Sequence, residues 1–108
     1  MLRKINMNKE KQRIAIAEAC GWNYIDSKTI YPRGIKDGVT LELPNYLNDL
    51  NAMHEAEEVL TPNQRIEYME WLGMCSDDYG HKVWTYVHST AAQRAEALLK
   101  ALDLWKNA

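Results

Sequence analysis

The sequence contains no phenylalanine, so all its large rings, four tryptophans and six tyrosines, carry a polar handle. Such rings need a hydrogen-bond partner when buried, and they suit an interface or a stacking platform as well as a core. No apolar run approaches the ~20 residues of a membrane-spanning helix, so no membrane partner is expected. The positive charges between Met1 and Met7 are followed by no apolar stretch, which argues against a signal peptide. Cys20 and Cys75 lie far apart on different predicted elements; they are read as free thiols of a cytoplasmic protein, with a disulfide as the alternative. Five glycines scattered at turns form no phosphate-cradling loop. Strong charge is lacking too: a formal net charge of −2 argues against a dedicated nucleic-acid binder.

What is present suits one domain. The length of 108 residues falls in the single-domain range, and a chain of that size buries roughly two thirds of its unfolded surface without needing metal or disulfide staples. The apolar fraction of 46% and charged fraction of 26% are ordinary for globular proteins. Residues 1–7 are read as a flexible leader and 8–108 as a single domain. Charge is unevenly placed: Arg3, Lys4, Lys9, Lys11 and Arg13 face only Glu10 near the start, whereas residues 42–70 are acidic but for Arg65.

Asn8 caps a predicted helix from Lys9 to Cys20, with Gly21 at C′ and Trp22 where a Schellman ending places its apolar contact. Residues 22–43 read as β structure, broken at Pro32-Arg33-Gly34 and turned at Asp37-Gly38. Val39, Leu41 and Leu43 alternate as a half-buried strand. A second helix is expected from Asn45 to Leu60, with an inner stripe of Tyr46, Leu50, Met53 and Leu60. A third opens at the Thr61/Gln64 capping box and points Ile66, Met69 and Leu72 inward. After a loop at 74–80, residues 81–88 form the strongest predicted strand, with large or β-branched groups on both faces. That pattern points to a central strand with helices on each side. Thr90 and Gln93 cap a last helix bearing Ala91, Ala95, Leu98, Leu99, Leu102 and Trp105 on its apolar face. The expected class is α+β.

Three segments carry a family resemblance: Ile14 to Trp22, Leu43 to Glu57 with its Leu-Pro-Asn-Tyr-Leu-Asn-Asp-Leu-Asn run, and Ala91 to Leu102. Together with Tyr31-Pro32-Arg33-Gly34 they resemble the phage ABA sandwich family, small proteins of bacteriophages and prophages. The sequence departs from that pattern at Tyr31, where tryptophan is commoner, and between Gly73 and His81. The resemblance implies a three-layer α-β-α sandwich with a small, mostly antiparallel sheet, and a phage accessory role in a bacterial host. It carries no catalytic residue set.

Patterns for catalysis are thin. His54-Glu55-Ala56-Glu57-Glu58 begins like a zincin helix, but Glu58 stands where the second imidazole is needed. Cys75, Asp77, His81 and His88 suggest a metal cluster, but His81 and His88 point to opposite faces of a strand and cannot share one metal within a single chain, and Cys75 with His81 alone is too thin for a site. Cysteines outside disulfides are usually small core residues, so a Cys-His nucleophile is not assigned. A non-enzymatic protein without metal or cofactor is expected.

Two binding readings follow. In the first, Trp22, Tyr24, Tyr31, Tyr46, Trp84 and Tyr86 stack on a small nucleotide-like ligand while Arg33, Lys36 or Arg94 holds its phosphate, sequestering a signal of host defence. The bland reading of those rings is core. In the second, the acidic helical face of Glu55, Glu57, Glu58, Glu67 and Glu70 docks on and inhibits a host protein; the bland reading there is a solvated surface. Arg94 begins a helix, the unfavourable end for a cation, and a tie to Asp49 across two helices would resolve that. A homo-oligomer is left open.

Overall fold

The structure is a computed structural model, and it describes residues 7–28, 31–73 and 87–106. Four helices stand among them: α1 (Lys9–Ala19), α2 (Leu50–Ala56), α3 (Pro62–Gly73) and α4 (Ala91–Ala101). They accompany an antiparallel sheet of three short strands in the order β1 (Asn23–Asp26), β2 (Arg33–Lys36) and β3 (Val39–Glu42). The fold is α+β, as the sequence indicates.

The ends of α1 follow from local chemistry. The Asn8 side chain accepts from Lys11 N–H at 2.8 Å. At the other end Trp22 N–H reaches Ala17 O and Gly21 N–H reaches Glu18 O, with Gly21 at a φ of 96°. This is the Schellman pairing, and its left-handed position is one glycine enters without steric cost. Met7, assigned to the leader, belongs to the domain: it is buried, and its carbonyl accepts from Gln12 Nε2 at 2.7 Å.

The sheet departs from expectation at Gly34. Pro32-Arg33-Gly34 does not break the β region; Arg33 and Gly34 begin β2. A Cβ on Gly34 would lie 3.1–3.2 Å from Trp22, Ile25 and Leu43, so this glycine allows close approach of core side chains. Asp37 and Gly38, with φ of 54° and 80°, form the two-residue turn joining β2 to β3. β1 carries a bulge, its register shifting between Asn23 and Asp26, with Tyr24 at a φ of 51°. Leu43 is buried as expected, but β3 is exposed along its whole length.

α4 organises the helices, with α1, α2 and α3 all packed against it. Ile16, Leu43, Met53, Leu98 and Leu99 form the most deeply buried centre. α2 starts later than expected. Residues 46–48 make a turn, and Asp49 in extended backbone caps the helix by accepting from Asn51 and Ala52 N–H. The helix ends at Ala56 and tightens into a 3₁₀ turn at Glu57–Val59. Leu50, assigned to the inner stripe, is exposed, whereas Tyr46, Met53 and Leu60 are buried.

The expected strand 81–88 lies outside the described residues except at its end, where Val87 is helical and His88 is in a turn rather than extended. The three-layer stacking expected around that strand turns on the same segment.

Candidate functional site

α2, the 3₁₀ turn and α3 follow one another in the chain, and a polar knot ties the turn and α3 to α4. Glu57, partly buried in the 3₁₀ turn, accepts from the Tyr68 hydroxyl of α3 and from Arg94 Nη1 of α4 at 3.3 Å. Arg94 Nε donates to Ser89 O at 3.2 Å. Burial first, then the Glu57 carboxylate, pushes the Tyr68 hydroxyl well above the usual phenolic range. Arg94 therefore does tie two helical segments together, but its partner is Glu57. Asp49 is occupied as the α2 cap.

That knot half-buries Glu57 and pairs its carboxylate, so it offers less charge to the acidic face. Glu55, Glu58, Glu67 and Glu70 remain exposed. On α3 the inner side is Tyr68 and Leu72, one turn apart, with Gln64 half-buried a turn earlier. Ile66 and Met69, expected inside, are 59% and 52% exposed. The reason is helical phase: taking Tyr68 as the inward position puts Ile66 and Glu70 on the far side and Met69 on the flank, about 100° round. A groove of about 330 Å³ opens beside the knot, lined by His54, Glu57, Glu58, Leu60, Arg65, Tyr68 and Met69. Apolar and acidic groups thus share one exposed surface.

The proposed stacking set is dispersed. Trp22 and Tyr46 are core residues beside Cys20. The Trp22 indole N–H approaches the Tyr46 hydroxyl but has no closed hydrogen bond among the described residues. Burial pushes the Cys20 thiol and the Tyr46 hydroxyl upward, so both stay protonated at neutral pH. Tyr24 projects from the β1 bulge and is 85% exposed. Arg94 is committed to the knot, and Trp84 and Tyr86 lie outside the described residues. Among the described residues, Tyr31 and Arg33 are the exposed members that share an opening, a cleft of about 540 Å³ with Thr40, Leu41 and Glu42.

Cys20 is a free, half-buried thiol, and the side chains acting on it are Tyr46, Lys36 and Glu55. Cys75, Asp77 and His81 lie outside the described residues. Among the described residues no three His, Cys, Asp or Glu side chains are grouped to hold a metal ion, and no helix is long and apolar enough to cross a membrane.

No family model matches the chain, and neither does any curated protein or solved structure.

Proposed function

We propose that this chain is a non-enzymatic binding protein that docks a protein partner on the α2–α3 surface. The observation that carries the reading is the exposed pair Ile66 and Met69 on α3, which also exposes Glu67 and Glu70, with Met69 and Glu58 lining one groove. An apolar centre with a charged rim is the usual anatomy of a protein interface. The carboxylates would steer a partner with a basic rim. The phage setting implied by the sequence resemblance makes that partner a host protein, blocked in the bacterial cytoplasm.

The test is capture from the bacterial host with the full chain, comparing wild type with the Ile66→Asp/Met69→Asp variant. A host protein retained by wild type and lost from the variant supports the reading. For that protein, Glu58→Lys/Glu70→Lys should weaken binding and flatten its salt dependence. Equal retention by all three chains sinks it.

A second reading keeps the nucleotide-like ligand but confines it to the Tyr31–Arg33 cleft, where a ring and a guanidinium share one opening. Glu42 in the same cleft opposes a phosphate, which ranks this reading second. Native mass spectrometry of protein from infected cells should show an added mass of a few hundred daltons that Tyr31→Ala and Arg33→Ala both abolish.

A further inference from the structure

The two edges of the sheet are unlike. β1 is guarded by its bulge and the positive φ of Tyr24, devices that disrupt edge pairing. β3 is regular: its four residues pair with β2 without a register shift, and it carries neither proline nor lysine.

The register also fixes which backbone groups of β3 point outward. The two-residue turn makes Lys36 and Val39 a hydrogen-bonded pair, and Leu43 N–H donates to Pro32 O at 2.8 Å. In an antiparallel ladder such pairs alternate, so Val39, Leu41 and Leu43 bond inward to β2. The N–H and C=O of Thr40 and Glu42 then face away from β2, with no partner strand among the described residues.

On the sheet face that includes Gly34 and Leu43, the helical core stops short. Leu43 is buried, but Val39 and Leu41 are 53% and 50% exposed. Two donors and two acceptors unpartnered among the described residues, with a half-exposed leucine between them, are the chemistry of a site for another β-strand.

We propose that this strand is β3 of a second copy of the chain. Antiparallel pairing about a two-fold axis at Leu41 sets Leu41 opposite the same residue of the partner. Thr40 then stands opposite the partner's Glu42, and Glu42 opposite the partner's Thr40. All four outward groups of each strand are satisfied, giving four backbone hydrogen bonds. Leu41 meets its equivalent as a non-hydrogen-bonded pair, the closer of the two pairings for side chains. On the other face each Thr40 hydroxyl lies beside a carboxylate that accepts from it. The strand is complementary to itself in this register, and the pairing joins the three described strands of each subunit into one continuous sheet. A contact this small falls below the standard interface size, so a dissociation constant of roughly 10 µM to 1 mM is expected. The pairing is independent of the α2–α3 surface.

Sedimentation velocity of the full chain from about 5 µM to 1 mM should show concentration-dependent dimers. Leu41→Lys, at a half-exposed position, should weaken dimerisation at least tenfold, with an unchanged far-UV spectrum showing that the monomer still folds. Leu41→Glu should do the same. An equimolar mixture of the two should restore association, because opposite charges then meet at the axis. Wild type that stays monomeric at 1 mM overturns the proposal and leaves the edge to an extended peptide of another protein. Dimers that persist unchanged in Leu41→Lys, or a mixture that does not associate, overturn it as well.

Discussion

At the scale of single residues, the clearest tension is at the end of α4. Leu104 N–H bonds Leu99 O at 2.7 Å and Asp103 N–H bonds Lys100 O at 3.1 Å, a second Schellman ending. Its left-handed position holds Asp103 at a φ of 60°, where Gly21 stands in the equivalent place after α1. A Cβ is strained there, and a carboxylate opposes the negative end of the helix dipole. Asp103→Gly is expected to stabilise the protein by about 0.5–1 kcal/mol, read as a higher denaturant midpoint with an unchanged slope. The buried phenols set a second expectation. Tyr46 and Tyr68 both titrate higher in the fold than in the unfolded chain, where the phenolic value is about 10. Above about pH 10 the unfolded state therefore loses protons that the native state keeps, and stability falls as pH rises. Below that range these groups leave stability independent of pH. Tyr68→Phe should cost roughly 1.5–3 kcal/mol at neutral pH, through its lost bond to the Glu57 carboxylate, and should make the alkaline decline shallower. Urea midpoints between about pH 8 and 11 check both statements; an unchanged alkaline slope in Tyr68→Phe would remove that phenol from the account.

At the scale of elements, what could be read in the sequence was the chemistry that acts within four or five residues. The Asn8 cap, the Gly21 ending, the Asp37-Gly38 turn and both capping boxes stand where the residues place them. Thr90 N–H and Gln93 N–H are bonded reciprocally, at 2.9 and 3.1 Å. Because α4 is the helix on which the others rest, Thr90→Ala should cost about 1 kcal/mol of global stability, whereas Thr61→Ala, at the start of α3, tests the same box on a less central helix. Equal and negligible losses would show that packing alone holds both ends. Where two local signals competed, the sequence misled. Asn45 to Asn48 continues a helical apolar pattern, but Asp49 captures the N–H groups of Asn51 and Ala52 and moves the start of α2 beyond them. Pro32-Arg33-Gly34 has turn composition, yet Gly34 is needed for contact with Trp22, Ile25 and Leu43, a requirement set by residues far away in the chain. In α3, the apolar periodicity of Ile66 and Met69 loses to Tyr68, whose ring is buried while its hydroxyl reaches Glu57.

At the scale of the molecule, the exposed carboxylates of the candidate surface were legible because charged side chains are on the surface by default. The pairing of Glu57 was not, since it depends on Arg94, 37 residues away. Long-range ties of this kind converge on α4, whose Leu98 and Leu99 are fully buried and whose flanks receive α1, α2 and α3. Lys100 extends the same convergence, with its ammonium 4.6 Å from the Trp71 ring, 5.4 Å from the Trp105 ring and paired with Glu96 at 2.8 Å. A helix shared by the other three described helices makes their stabilities inseparable, so unfolding is expected to be a single transition. Leu99→Ala should then cost about 2–5 kcal/mol, a large part of the roughly 5–15 kcal/mol typical of a domain. Far-UV circular dichroism, which follows the helices, and tryptophan fluorescence, which follows the rings, should shift together in that variant to one lower midpoint. If the two midpoints separate, part of the helical structure holds without α4, and α4 is not the common support of the fold.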